Sequence, residues 1–228
     1  MKYQGHLKEV TYKNRISILS SFYTFCVQEG HLEQSPIKKR WIPRCPKALP
    51  KYIEKNEVAK VRQQTERTSL RNQAIVEFLL TSGCRIGEVH QLNIKDIDLE
   101  NRIARVVGKG KKIRDVHFSD KCAVLIERYL DSRVKKPLSP LFTRLGNESR
   151  LSIAGYQKFL SDIGKRAGLS TSLHPHRFRH TFATELLAKG AELSFISDEL
   201  GHKDMGTTQI YARLPNYVII SQYRKFMG

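Results

Sequence analysis

A histidine and an arginine three residues apart could act together on one phosphate group. His176 and Arg179 lie on the same face of a predicted helix, which Pro175 is suited to begin because its missing N–H costs nothing in the first turn. The planar guanidinium of arginine can bind two phosphate oxygens at once and keeps its charge. The spacing therefore predicts an anion site, although basic residues on a solvated helix face would show the same pattern.

A second group of candidates follows the next predicted helix. Leu200-Gly201-His202 ends that helix, with Gly201 suited to a left-handed C-terminal cap, so we expect His202 at a defined position. Tyr211 comes nine residues after His202. A single tyrosine is usually a packing residue, so neither residue identifies a reaction by itself.

Two further cations stand at turns earlier in the chain. Arg85 follows Thr81-Ser82-Gly83-Cys84, and Lys109 lies within Gly108-Lys109-Gly110-Lys111-Lys112. The second segment has the composition of a charged β-hairpin turn, which would explain Lys109 without any chemistry. Each of these residues is weak support for a function on its own.

The elements that must position these residues are mostly helices. Helical periodicity predicts helices at 56–64, 70–83, 119–134, 152–167, 176–188, 192–200 and 216–226. Three short runs predict an antiparallel sheet of strands at 94–99, 102–107 and 113–117. The expected fold class is α+β, mostly α-helical, with a small three-stranded antiparallel sheet.

The first fifty residues have a different character. Ile16 to Cys26 carry apolar residues at helical spacing, and prolines then recur from Pro36 to Pro50, which favours an extended connector. We therefore predict a partial helical DNA-binding region at 1–41, a Pro-rich linker at 42–50 and a catalytic domain at 51–228.

The charge of the chain points to a polyanionic partner. Among its 228 residues, 40 Lys and Arg outnumber 22 Asp and Glu, a formal net charge of +18. The sequence lacks a secretory signal and any apolar run long enough to cross a bilayer. The four cysteines are widely spaced, which predicts reduced thiols in a cytoplasmic protein.

The residues give little support for a metal or nucleotide cofactor. His174, His176 and His180 lie close together, but no cysteine lies within fifty residues of them and there is no His-Glu-x-x-His pattern. A Gly-x-x-x-x-Gly-Lys-Ser/Thr loop is also absent. We expect no cofactor, no metal, and structural roles for His174 and His180.

In order and spacing, these residues resemble the catalytic set of the tyrosine recombinase, or phage integrase, family. The matching positions are Arg85, Lys109, His176, Arg179, His202 and Tyr211. The runs at 173–184 and 201–211 resemble the family's motifs too, and residues 10–36 look like the last helices of its core-binding domain. Family members usually carry a helical domain of about a hundred residues ahead of the catalytic domain. We therefore expect a fragment or a shortened member, whose clamp around DNA is incomplete.

The resemblance implies a specific reaction. The hydroxyl of Tyr211 would attack a DNA phosphodiester, leaving a 3′-phosphotyrosyl link and a free 5′-hydroxyl. This link conserves the energy of the phosphodiester, so rejoining needs no ATP. Arg85 and Arg179 would stabilise the charge on the non-bridging oxygens by preorganised electrostatics.

The resemblance also implies roles for the remaining catalytic positions. Lys109 would protonate the departing 5′-oxygen, His176 would transfer a proton to or from the tyrosine, and His202 would donate a hydrogen bond to the phosphate. We expect other basic residues to contact backbone phosphates of double-stranded DNA: Lys111, Lys112, Arg114 and Arg177.

Several functions remain compatible with this pattern. Integration or excision of a mobile element is the main hypothesis, and chromosome-dimer resolution or a catalytically silent DNA-binding relative are the alternatives. A nicking or topoisomerase-like enzyme and a basic RNA-binding protein are further rivals. The family resemblance implies a homotetramer on synapsed DNA and a monomer in solution. The 216–226 tail would pack on a neighbouring protomer or on its own domain.

Overall fold

The chain divides into two compact units, Met1–Leu49 and Pro50–Gly228. The computed structural model describes residues 7–45, 51–108, 110–133, 136–201 and Thr208. Lys109, His202, Tyr211 and the helix predicted at 216–226 lie outside the described residues. The border between the two units falls within the predicted Pro-rich linker.

The first unit contains one long helix. Helix α1 (Glu9–Gln28) has no buried residue, and its apolar side chains are largely exposed, with Phe22 at 56% and Phe25 at 52%. A 3₁₀ turn, Lys39–Trp41, follows it.

Seven helices and one sheet are described in the second unit. The helices are α2 (Lys55–Glu66), α3 (Leu70–Ser82), α4 (Ile86–Gln91), α5 (Asp120–Asp131), α6 (Ile153–Arg166), α7 (Pro175–Ala188) and α8 (Leu193–Leu200). The strands are β1 (Ile97–Asp98), β2 (Ile103–Val107) and β3 (Ile113–His117), paired antiparallel in the order β1-β2-β3. The predicted fold class, mostly α-helical with a three-stranded antiparallel sheet, is confirmed.

Helix α3 forms the centre of the core. Ten of its thirteen residues are buried, and it packs against α2, α5 and α7. Phe78 is fully buried and its ring lies near those of Phe118 and Phe142. Since α3 ends at Gly83 in a left-handed conformation, the chain turns directly from the core into the segment that carries Arg85.

A smaller apolar cluster holds α8 against α7. Ala183 and Leu187 of α7 bury their side chains against Ile196 and Leu200 of α8. This packing fixes the end of α8 beside α7, and it therefore fixes the backbone that leads into His202.

The structure differs from the sequence prediction in two places. The strand predicted at 94–99 is a 3₁₀ turn, Ile94–Asp96, followed by the two-residue strand β1. The Asn93 N–H donates to Asp96 Oδ2 at 2.8 Å, and this local bond stabilises a turn where alternation had suggested a strand. Helix α4, which follows Arg85, was not predicted.

Candidate active site

Arg179 is buried at the centre of the candidate site. It lies on α7 with only 5% of its surface exposed. Its Nη1 donates to the carbonyl oxygen of Gly83 at 2.8 Å, and its Nη2 donates to that of Leu200 at 2.7 Å. One guanidinium thus joins the end of α3 to the end of α8, and both hydrogen bonds fix its orientation.

Arg85 reaches the same carbonyl oxygen from another element. It caps the N-terminus of α4, and its side chain is 37% exposed. Its Nη1 lies 3.5 Å from the oxygen of Leu200 and 3.0 Å from Oε1 of Glu88. Arg85 and Arg179 therefore converge on one oxygen atom, and the phosphate site stays a prediction.

Glu88 is the residue of the site that sequence reasoning missed. Its carboxylate accepts from the backbone N–H of Arg85 at 2.8 Å and from both Nη atoms of Arg114 at 2.9 Å. Burial opposes ionisation of Glu88, but the hydrogen bonds from Arg114 and Arg85 outweigh it and lower the pKa of Glu88. A glutamate three residues after Arg85 has the spacing of a helix-capping side chain, which could have identified it.

The histidines near Arg179 differ in exposure. His174 and His176 are exposed, with ring centroids 6.4 Å apart, at the start of α7. Burial, together with the positive charges of His176 and Arg179, lowers the pKa of His180 to about 4. His180 is therefore neutral at physiological pH. Its structural role and that of His174 stay predictions, as does proton transfer by His176.

The four predicted phosphate contacts fall into two groups. Lys111 and Lys112 are exposed in the turn between β2 and β3, where a phosphate could reach them. Arg114 and Arg177 have side chains only 17% and 3% exposed. Both arginines are bonded to protein groups, so the structure favours a structural role for them.

Arg177 lies on α7, and its side chain reaches the start of α2. It donates to Oε2 of Glu57 at 2.8 Å and to the carbonyl oxygens of Tyr52 and Thr171 at 3.1 Å. One of these acceptors is a carboxylate, so the positive charge of Arg177 is offset inside the fold. Its predicted contact with DNA stays a prediction that the geometry does not favour.

Described neighbours show where two of the three undescribed catalytic candidates, Lys109 and His202, join the fold. The Gly108 N–H donates to the carbonyl oxygen of Lys112 at 2.8 Å, which closes the β2–β3 hairpin around the position of Lys109 in the sequence. Gly201 has φ 61° and ψ 50°, so the predicted left-handed cap before His202 is confirmed. The placement of Lys109, His202 and Tyr211 themselves lies outside the described residues.

The described residues offer neither a metal cluster nor a membrane span. Within the described ranges, no three His, Cys, Asp or Glu side chains lie close enough together to hold a metal ion. No helix in this part of the chain is long and apolar enough to cross a membrane.

Comparison with known proteins places the chain in a family. The sequence profile of the phage integrase family matches residues 51–216. Tyrosine recombinase XerC of Bacillus subtilis (strain 168) is 32% identical over 231 residues, which cover 97% of this chain and 76% of that protein. XerC of Haemophilus influenzae (strain PittEE) is 36% identical over 218 residues, covering 93% and 73%.

A solved structure agrees with these relatives. XerH site-specific recombinase bound to palindromic difH substrate, in a post-cleavage complex, matches with a TM-score of 0.78 at 27% identity, over 92% of this chain and 65% of that one. The order of the six motif residues, the convergence of Arg85 and Arg179 and these matches agree. The chain therefore belongs to the phage integrase family of tyrosine recombinases.

Proposed function

We propose that this protein is a site-specific DNA recombinase that cleaves and rejoins double-stranded DNA through a 3′-phosphotyrosyl intermediate. The observation that carries the proposal is that Arg85 and Arg179, from distant parts of the chain, donate to the same oxygen atom. Two guanidinium groups that share one acceptor are placed to share a phosphate oxygen in the same way. The XerH recombinase was solved on its DNA substrate, and the net charge of +18 suits the same kind of partner.

Each catalytic position has a proposed step. Tyr211 attacks the phosphorus atom, and the bond from phosphorus to the 5′-oxygen breaks. Lys109 delivers a proton to that departing oxygen, since a flexible ammonium suits a proton donor better than a guanidinium. His176 accepts or returns the tyrosine proton, and His202 donates a hydrogen bond to the phosphate.

Arg85 and Arg179 supply the electrostatic part of the proposed reaction. Charge accumulates on the non-bridging oxygens as the tyrosine attacks, and fixed donors stabilise that charge without reorganising. Arg179 is held by two backbone carbonyls, and Arg85 is held by Glu88 while remaining partly exposed. In this arrangement Arg179 is a buried donor with a fixed orientation, and Arg85 is the arginine that incoming DNA can reach.

The proposed reaction is common to integration or excision of a mobile element and to chromosome-dimer resolution. The relatives above are named tyrosine recombinase XerC, which fits recombination between two specific sites. A homotetramer on two synapsed duplexes, formed from monomers, is the assembly we propose for it.

Covalent trapping on nicked duplexes tests the chemistry. Wild-type protein should give a detergent-resistant protein–DNA adduct, and Tyr211→Phe should bind DNA equally well but give none. Lys109→Ala should cleave slowly, and a 5′-bridging sulfur, a better leaving group, should restore its rate. An adduct formed by Tyr211→Phe would refute the nucleophile, and lack of rescue by sulfur would refute the general acid.

The same reactions separate a recombinase from its rivals. Products in which strands of two duplexes are joined indicate recombination, and the mass of the complex gives the number of protomers. Rejoining confined to one duplex would indicate a nicking or topoisomerase-like enzyme instead. DNA binding by wild-type protein with no adduct would leave only a DNA-binding relative.

A further inference from the structure

Arg114 is a basic residue that points into the protein rather than towards solvent. It lies on β3, and its Nη1 and Nη2 each donate to one oxygen of Glu88 at 2.9 Å. This two-pronged pairing has the geometry in which an arginine is held most firmly by a carboxylate. Its neighbours Lys111 and Lys112 are exposed, so a single short segment contains cations in two different environments.

Two glycines leave the space that the Arg114 side chain fills. A Cβ atom built on Gly201 would lie 2.9 Å from Cζ and Nε of Arg114, and one built on Gly108 would lie 3.3 Å from its Nη1. The guanidinium is therefore packed against the residue before His202 and the residue before Lys109. Such packing restricts the side chain to its present position and leaves it no route to a phosphate outside.

The charges around Glu88 explain how Arg114 can affect Arg85. Glu88 is 4% exposed and ionised, and it also accepts from Arg85. Without Arg114, Arg85 would be the one remaining cation among the described residues that pairs with the Glu88 carboxylate. Glu88 would then offset the positive charge of Arg85, which is the charge that a phosphate needs. With Arg114 present, the two arginines and one glutamate carry one net positive charge, and Arg85 keeps its orientation.

We infer that Arg114 is a positioning residue of the recombination reaction, which holds Glu88 and through it Arg85, and is not a phosphate contact. The inference rests on the proposed function, since it assigns Arg85 to the reacting phosphate. It replaces the direct contact with DNA that the sequence suggested for Arg114.

The test uses two substitutions of Arg114 and one matched control. Arg114→Lys keeps the charge but loses the fork that engages both oxygens of Glu88. Arg114→Met removes the charge. Arg105→Met is the control, because Arg105 is an arginine of the neighbouring strand whose side chain is 68% exposed and pairs only with Asp115 among the described acceptors.

Adduct formation and DNA binding are measured separately for each variant. We expect Arg114→Lys to lower the rate of adduct formation about 10- to 100-fold, as a misplacement of about 1 Å at a catalytic group does. The salt dependence of DNA binding should not change in either Arg114 variant. Arg105→Met should match wild type in both measurements.

A methylphosphonate at the cleavage position distinguishes positioning from loss of fold. A methylphosphonate has one non-bridging oxygen and one negative charge fewer than the phosphodiester throughout the attack, so it needs less of the charge stabilisation that Arg85 supplies. The loss caused by Arg114→Lys should therefore shrink to about 3-fold or less. A variant that is merely less well folded would lose equal factors on both substrates. Thermal unfolding of Arg114→Lys, run alongside, confirms that the compared protein is folded.

Three results would overturn the inference or its basis. An unchanged adduct rate in Arg114→Lys, with a salt slope lowered by about one in Arg114→Met, would make Arg114 a phosphate contact. Equal losses on both substrates would reduce Arg114 to a residue that only supports the fold. Absence of an adduct with wild-type protein would instead refute the proposed function, and so the two failures are distinguishable.

Discussion

Replacing Arg177 by methionine should destabilise the protein, because this arginine is bonded inside the fold. The substitution keeps a long side chain but removes the cation paired with Glu57 and the donors to the carbonyl oxygens of Tyr52 and Thr171. Removing one partner of a buried ion pair costs about 3–5 kcal/mol. The Glu57 side chain is 18% exposed and keeps a hydrogen bond from the Glu54 N–H, so the lower end applies, about 3 kcal/mol.

The matching measurement is unfolding of the variant by urea and by heat. At about 2–4 °C per kcal/mol for a domain of this size, the midpoint of thermal unfolding should fall by about 6–12 °C. Arg128→Met is the control, since Arg128 is exposed on α5, and its free energy of unfolding should stay within about 0.5 kcal/mol of wild type. DNA binding by the folded variant should keep the salt dependence of wild type.

Unchanged stability together with a weaker salt dependence of DNA binding would refute this reasoning. If Arg177→Met were as stable as wild type and its binding lost about one unit of salt slope, Arg177 would be a phosphate contact. The hydrogen bonds to Glu57, Tyr52 and Thr171 would then contribute no net stability.

Two further substitutions test the surroundings of Arg179. Gly83 has φ 61°, and a Cβ there would overlap the ring of Phe182. Gly83→Ala should therefore lower the free energy of unfolding in urea by about 2–4 kcal/mol, from a left-handed alanine and from overpacking. Gly87→Ala, with nothing within 4 Å of its Cβ, should be neutral or stabilising, and equal stability of both variants would contradict the clash. The pKa of His180 is lowered to about 4 in the folded protein. Between about pH 6.5 and pH 4 this histidine is therefore protonated in the unfolded chain but neutral in the folded protein, so the free energy of unfolding should fall as the pH drops through that range. His180→Gln should flatten that decline in thermal unfolding, and an unchanged decline would contradict the assignment.

The sequence predicted the long elements of the fold well because their physical signals are strong. Helix α3 shows a continuous apolar pattern and ends at a glycine, and α7 begins with a proline at its first position. Helix α4 spans six residues, too few for a periodic pattern to be distinguished from a loop. The turn at Ile94–Asp96 depends on a hydrogen bond from the backbone N–H of Asn93 to the side chain of Asp96, which the alternation of apolar residues does not reveal.

Two arginines of the candidate site could be predicted from the sequence, but the acceptors that hold them could not. Arg85 and Arg179 were identified by type and order, and the structure brings their guanidinium groups to one oxygen. That oxygen belongs to the backbone of Leu200, and a backbone carbonyl has no sequence signature. Its place beside both arginines follows from the packing of α8 on α7, which is a tertiary property.

The direction of a basic side chain was the least predictable feature. The sequence predicts the same role, contact with backbone phosphates, for Arg114, Arg177, Lys111 and Lys112, because all four carry a positive charge near the motifs. Charge alone does not show whether a carboxylate lies within reach, and the partners here, Glu88 and Glu57, are distant in the sequence. A planar guanidinium pairs with such a carboxylate better than an ammonium does, and the two of these four cations that pair with one, Arg114 and Arg177, are both arginines.

This division of the basic residues bears directly on how the site can hold a phosphate. A carboxylate offsets one positive charge however many arginines share it, whereas a neutral carbonyl offsets none. Arg179 donates to two neutral carbonyls, and Arg85 shares the single negative charge of Glu88 with Arg114, so these three arginines and one glutamate together carry a formal charge of +2. The buried pairs thus stabilise the framework and leave the net charge of the site to the two arginines that converge on Leu200.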